Sequence, residues 1–234
     1  MNFLVGLVFY VLLSPLTGNE IEWKDTPQYL LLWKSTGSPT WYIFVILLCY
    51  LASWIAASLF GKSRIKMVIT HTVIIAAIAY LLSLFKQDWW YDTIFSYTLG
   101  FVYSQYKSEA EKAIGKNYLL SLCITGILFA TFYYITRYTS LTWLVAFNLL
   151  SMSFAMLNVI IGMKIKIGNK AINWCGEHLF PIYMYQGLFY QMLFNIGGEE
   201  HTFAVWSPFL FTLASIALTV ILAKFYHLWE VKLK

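Results

Sequence analysis

From Trp41 onward the chain is a succession of apolar runs, each about as long as a bilayer is thick, separated by short polar stretches. A helix rises about 1.5 Å per residue, so roughly 20 apolar residues carry it across the ~30 Å hydrocarbon core. Runs of this length, repeated, leave too little polar surface to cover a water-soluble domain. The composition agrees, with 60% hydrophobic and 12% charged residues, where an ordinary globular chain is about a quarter charged. The fold class that follows is all-α, a polytopic transmembrane helix bundle. Its 234 residues form a single membrane-embedded domain over 1–234, with no room for a separate soluble one.

Taken in order, the segments number eight and the first is short. Phe3 to Leu16 is apolar, but its 14 residues reach only about 21 Å as a helix. It has neither the basic start nor the small-residue cleavage site of a signal peptide, and it reads as the tail of a helix that begins upstream of Met1. The loop from Thr17 to Thr40 is acidic on balance. Trp41 to Phe60 opens on an aromatic Trp41-Tyr42 pair of the kind found at bilayer interfaces. A basic loop with Lys62, Arg64 and Lys66 leads into Met67 to Phe85. Trp89 to Tyr106 is diluted by Asp92, Thr93, Ser96, Thr98 and Ser104, and lying on the membrane surface is the alternative to crossing it. Tyr118 to Ile135, Leu141 to Met163, Ile172 to Ile196 and Ala204 to Trp229 complete the set, and Asn148, Ser151, Ser153 and Asn158 in the sixth are read as pointing inward.

Charge decides the doubtful segment. If all eight cross, one side receives Lys62, Arg64, Lys66, Lys107, Lys112, Lys116, Lys164, Lys166, Lys170, Lys224, Lys232 and Lys234, and the other only Lys24, Lys34, Lys86 and Arg137. Twelve against four accounts for all 16 basic residues. Basic loops gather on the cytoplasmic side, so Trp89 to Tyr106 is read as a crossing enclosed by other helices, and the C-terminus as cytoplasmic. The net charge of +5 then reflects orientation in the membrane and implies no nucleic acid. Cys49, Cys123 and Cys175 are odd in number and lie in apolar runs, as reduced packing residues do.

The stretch from Ile172 to Ile196 places Glu177, His178, Gln186 and Gln191 among apolar neighbours. An ionisable group at membrane depth costs roughly 2.5–3.5 kcal/mol, so such groups face a bundle interior or a wet cavity. Pro181 has no N–H and its ring opposes the carbonyl of Glu177, which predicts a kink. Tyr183, Gln186, Gly187 and Tyr190 share one helical face, suited to lining a substrate path or to bonding with a neighbouring helix.

At Gly176-Glu177-His178-Leu179-Phe180-Pro181-Ile182-Tyr183-Met184-Tyr185-Gln186 the chain resembles the acyltransferase-3 family, multi-span bacterial membrane enzymes that acylate sugars and surface polysaccharides. The likeness lies in a glycine, the tyrosine of an Ile-Tyr pair two turns on, and His or Gln one turn beyond. Ser38-Pro39-Thr40-Trp41-Tyr42-Ile43 resembles the His-Leu-Trp-Phe-Leu opening of a middle helix of that family. Phe95-Ser96-Tyr97-Thr98-Leu99-Gly100 is similar to its Phe-rich run ending in Leu-Gly. There are departures: Leu179 stands where Ser or Thr is usual, and Gln186 where His is frequent. The early helix with an Arg upstream of a catalytic His has no counterpart, the first histidine here being His71. The chain therefore looks like the later part of the family's domain, incomplete at the N-terminus.

The resemblance implies a membrane-bound O-acyltransferase of the bacterial inner membrane. It would move an acetyl group from acetyl-CoA to a sugar hydroxyl of a cell-envelope polysaccharide or glycolipid, with acetyl-CoA a substrate and no cofactor held. Such a transfer needs a base for the hydroxyl proton and a site for the thioester. The catalytic candidates are His71, Glu177 and His178, the last because an adjacent carboxylate tunes an imidazole. The basic residues Lys62, Arg64, Lys66, Lys164, Lys166 and Lys170 are candidates for the phosphates of coenzyme A, their other reading being the ordinary cytoplasmic excess beside anionic lipid. Two rivals remain: a transporter or flippase for lipid-linked sugars, with Tyr183, Gln186 and Tyr190 along its path, and a non-catalytic subunit working with a partner chain that carries the missing helices. No second copy of the Pro181 region supports the first. His201 and His227 receive no role. No residue group has metal-ligand spacing, and neither a P-loop nor a dinucleotide fingerprint occurs.

Overall fold

The computed structural model describes residues 11, 23–34, 40–139, 143–165, 168–179, 182, 183, 187, 189, 192, 193 and 208–232. Every regular element among them is helical, and no strand occurs among the described residues. A short helix α1 (Thr26–Leu30) precedes α2 (Thr40–Phe60), α3 (Arg64–Phe85), α4 (Ile94–Gln105), α5 (Lys107–Lys116), α6 (Tyr118–Tyr138), α7 (Trp143–Lys164), α8 (Lys170–Glu177) and α9 (Pro208–Lys232). Among the described residues four helices are long and apolar enough to cross a membrane, within α2, α3, α6 and α7. Each coincides with a run read from the sequence. The final run also forms one helix, α9, opening on Pro208, whose fixed φ suits a first helical position. The segment Phe3 to Leu16, the kink at Pro181, and Lys166, Gln186, Tyr190 and His201 lie outside the described residues.

Three local readings change. Arg64 and Lys66 belong to the first turn of α3 and not to a loop. The basic stretch after Tyr106 is itself a helix, α5, steadied by Ile114, which is buried, and by a Lys107–Glu111 pair one turn apart at 3.9 Å. The fourth segment reaches helical geometry only at Ile94, because Asp88–Trp90 is a 3₁₀ turn in which the Tyr91 hydroxyl donates to Asp88 Oδ1 at 2.8 Å. The 12 residues of α4 rise only about 18 Å, less than a bilayer core.

The chain divides into two compact units, Val45–Ile167 and Met1–Phe44 with Gly168–Lys234. In the first, α6 and α7 pack side by side along their length, and α4 lies against both α3 and α7. No described side chain of α6 is buried, and Leu119, Ile127 and Tyr134 stand exposed, as a lipid-facing helix requires. From Cys49 onward the buried positions of α2 are small, Cys49, Ala52 and Ala56, so backbones can approach closely where there is no hydrophobic drive between helices. Gly61, which follows α2, is held to glycine by space: a Cβ there would lie 2.7 Å from the Ala57 carbonyl oxygen.

In the second unit α1 ends on Leu32, whose φ of 62° is left-handed. The Trp33 N–H then returns to the Gln28 carbonyl at 2.8 Å, closing the helix end. Glycine normally takes such a position. Leucine is held there because its side chain is buried with Ile43, against Phe44. Trp33 adds an edge-on contact to Phe44 with ring centres 5.7 Å apart, and Lys34 pairs with Asp25.

Candidate active site

Within Val45–Ile167 the polar groups converge on α4, which the charge pattern had enclosed on argument alone. The Asn148 side chain of α7 accepts from the Phe95 N–H at 3.1 Å and donates to the Tyr91 carbonyl at 3.3 Å and the Leu144 carbonyl at 3.0 Å. It thus caps the N-terminus of α4 from another helix, pairing backbone groups that a helix end leaves orphaned. One turn on, the Ser96 hydroxyl donates to Ser151 Oγ at 2.7 Å. On the α2 side, Tyr97 Oη and Ser53 Oγ lie 3.0 Å apart, and the Tyr50 ring meets that of Tyr97 edge-on at 5.9 Å. Asn148 and Ser153 are buried as read from the sequence. Asn158 is not: it is exposed and its amide donates to the Phe154 carbonyl of its own helix at 2.8 Å.

His71 of α3 is 0% exposed. Its ring stacks on Phe101, centres 4.1 Å apart and 11° from parallel, and lies 5.8 Å from the Tyr97 ring. Among the described residues neither imidazole nitrogen has a hydrogen-bond partner, and the Thr98 hydroxyl of α4, also buried, has none. The sequence signal that could have found Tyr97, Thr98 and Phe101 as neighbours of a histidine is their i, i+1, i+4 spacing, which keeps Tyr97 and Phe101 on one face.

The basic candidates are less concentrated. Lys62 and Lys66 are exposed. Arg64 is committed to Glu109 of α5 at 3.0 Å and lies 5.9 Å from the Tyr106 ring. The Glu109 carboxyl is held below its ordinary pKa by its own backbone N–H and by the Arg64 guanidinium. The Lys164 ammonium sits 5.6 Å from the Tyr118 ring centre, a cation–π distance.

The remaining candidates belong to the other unit. Asn169 caps α8, its Oδ1 accepting from the Ile172 N–H at 2.9 Å, and Lys170 is the exposed first residue. Glu177 is exposed. His178 closes the helix: its Nδ1–H donates to the Trp174 carbonyl at 2.8 Å and its ring stacks on Trp174 at 4.3 Å. That bond places a proton on Nδ1, since a carbonyl oxygen can only accept. Tyr183 packs against Tyr42, ring centres 4.8 Å apart, so the late Gly176–Gln186 stretch and the Ser38–Ile43 stretch touch through their tyrosines. Among the described residues no cluster of His, Cys, Asp or Glu has the makings of a metal site.

In a comparison with protein families, the model described as an acyltransferase domain matches residues 1–225. The chain belongs to the acyltransferase-3 family. Neither the curated proteins nor the solved structures provide a match. The match spans every candidate residue named above.

Proposed function

We propose that this acyltransferase-3 protein is a membrane O-acyltransferase of the bacterial inner membrane. It transfers acetyl from acetyl-CoA to a sugar hydroxyl of a cell-envelope polysaccharide or glycolipid, with its C-terminus in the cytoplasm. The observation that carries this reading is the family match over residues 1–225. Support comes from the twelve basic residues that the eight-span reading gathers on the cytoplasmic side, where coenzyme A is available and compact cations suit its phosphates. Lys62, Lys66, Lys164 and Lys170 are the described candidates, with Lys166 beside them in sequence, while Arg64 serves Glu109 first. In the acyl step the acceptor oxygen attacks the thioester carbonyl, the C–S bond breaks, and the hydroxyl proton ends on the departing thiol.

The test uses the full chain in proteoliposomes with acetyl-CoA, following release of the coenzyme thiol and acetylation of envelope glycolipid. Acetylated glycolipid made in proportion to thiol released is the expected result. Glycolipid crossing the bilayer with no thiol released would replace the enzyme with a transporter. Replacing Lys164, Lys166 and Lys170 together with Gln is expected to weaken coenzyme A binding, most visibly at low salt. Unchanged binding with unchanged insertion would remove those lysines from the donor site.

A further inference from the structure

Three buried polar atoms on the neighbouring helices α3 and α4 lack partners among the described residues: both nitrogens of His71 and the hydroxyl of Thr98. Buried polar groups in folded proteins are almost always paired, and the cost of leaving one unpaired is greatest in apolar surroundings. Their setting is otherwise well satisfied, since the neighbouring Tyr97 hydroxyl is bonded to Ser53 and Asn148 makes three bonds. The stack of Phe101 on the imidazole, 11° from parallel, closes one ring face. A ligand therefore meets His71 in its plane, at the nitrogens. A neutral imidazole offers one donor and one acceptor, and Thr98 adds a hydroxyl that does both. Thr98 and Phe101 are three residues apart and share a face of α4, which sets the hydroxyl on the side of the stacked imidazole.

We propose that His71 and Thr98 form a hydroxyl-binding niche between α3 and α4. The class of ligand is an alcohol O–H, with resident water as the other source of the same chemistry. When an acceptor alcohol occupies it, the lone-pair nitrogen of His71 takes the hydroxyl proton as the oxygen bonds to the acetyl carbon. The C–S bond breaks, and the imidazolium returns that proton to the thiolate. This second half rests on the acyl-transfer reading; the niche itself does not.

The full chain in lipid nanodiscs, with its four histidines labelled with ¹⁵N and His71 assigned through His71→Gln, reports the niche directly. Hydrogen-bonded imidazole nitrogens at His71, weakened in Thr98→Val and restored in Thr98→Ser, are expected. A further shift on adding glycerol, used as the alcohol probe, identifies the ligand as an incoming alcohol; a bonded signature indifferent to glycerol identifies it as water. Nitrogens at unpaired shifts with and without glycerol would overturn the niche. In acetyl transfer, His71→Gln should lower kcat by roughly a hundredfold or more, with the KM for acetyl-CoA and the melting temperature unchanged. Transfer at the wild-type rate would remove the proton-taking role. A wild-type chain that transfers nothing defeats the acyl-transfer reading, and the spectra then decide the niche alone.

Discussion

Replacing Asn148 with Leu tests whether one side chain of α7 holds α4 in place. The substitution keeps the branching and heavy-atom count of the side chain while removing three hydrogen bonds, two of them to the Phe95 N–H and Tyr91 carbonyl at the start of α4. Leaving a buried backbone group unpaired costs about 1–3 kcal/mol. Inter-helix bonds measured in membranes average about 0.6 kcal/mol and reach about 1.7. The Leu144 carbonyl lies in the same helix as Asn148 and loses little. A loss of about 2 kcal/mol is therefore expected, lowering the melting temperature by about 4–8 °C for a chain of this length. A thiol-reactive dye on detergent-solubilised full chain reads the transition, because Cys49 is 1% exposed and reacts only on opening. Cys123 is exposed and Cys175 half-buried, so both are replaced with Ser in every protein compared. Asn158→Leu is the control, since that side chain is exposed and bonds only within its own helix. If Asn148→Leu melts within about 1 °C of its parent, the cap does not anchor α4.

At Leu32 the usual order of substitutions is expected to reverse. Glycine loses the buried side chain and relieves the left-handed backbone, whereas alanine loses the side chain and keeps the strain, so Leu32→Ala should melt below Leu32→Gly by an amount equivalent to about 1 kcal/mol; equal midpoints would refute the strain argument. Glu109 has a folded pKa below its unfolded value, so its contribution is present above the ordinary carboxylate pKa and is lost as pH falls through the lowered one. The difference in midpoint between wild type and Glu109→Gln, small because the pair is exposed, should close as pH falls from neutral through the carboxylate range and below it. A gap that persists in acid would show that Glu109 acts by something other than its charge. Ser151→Ala removes the bond from Ser96 and should cost about 0.5–1 kcal/mol in melting experiments, and a loss several times larger would mean the serine pair carries more than one inter-helix bond.

The sequence by itself determined the class of the protein and the long helices, because in a bilayer every backbone group must be bonded within its own helix and apolar length alone then locates a span. Trp41–Phe60 and Tyr118 to Ile135 needed no tertiary information. The family resemblance was legible for the same reason: its motifs are local runs such as Phe95–Gly100. What only the tertiary structure decided is where separate runs meet. Asn148 and Asn158 carry the same side chain on the same helix, and one caps a neighbouring helix while the other faces outward. The sequence favours His178 over His71 for its neighbouring carboxylate, yet His178 bonds its own helix while His71 is enclosed with its nitrogens unpaired among the described residues. Hydropathy averages over a helix turn and carries no information about which neighbour fills the space opposite one residue. Only packing supplies that, and the chemistry of each polar group follows from it.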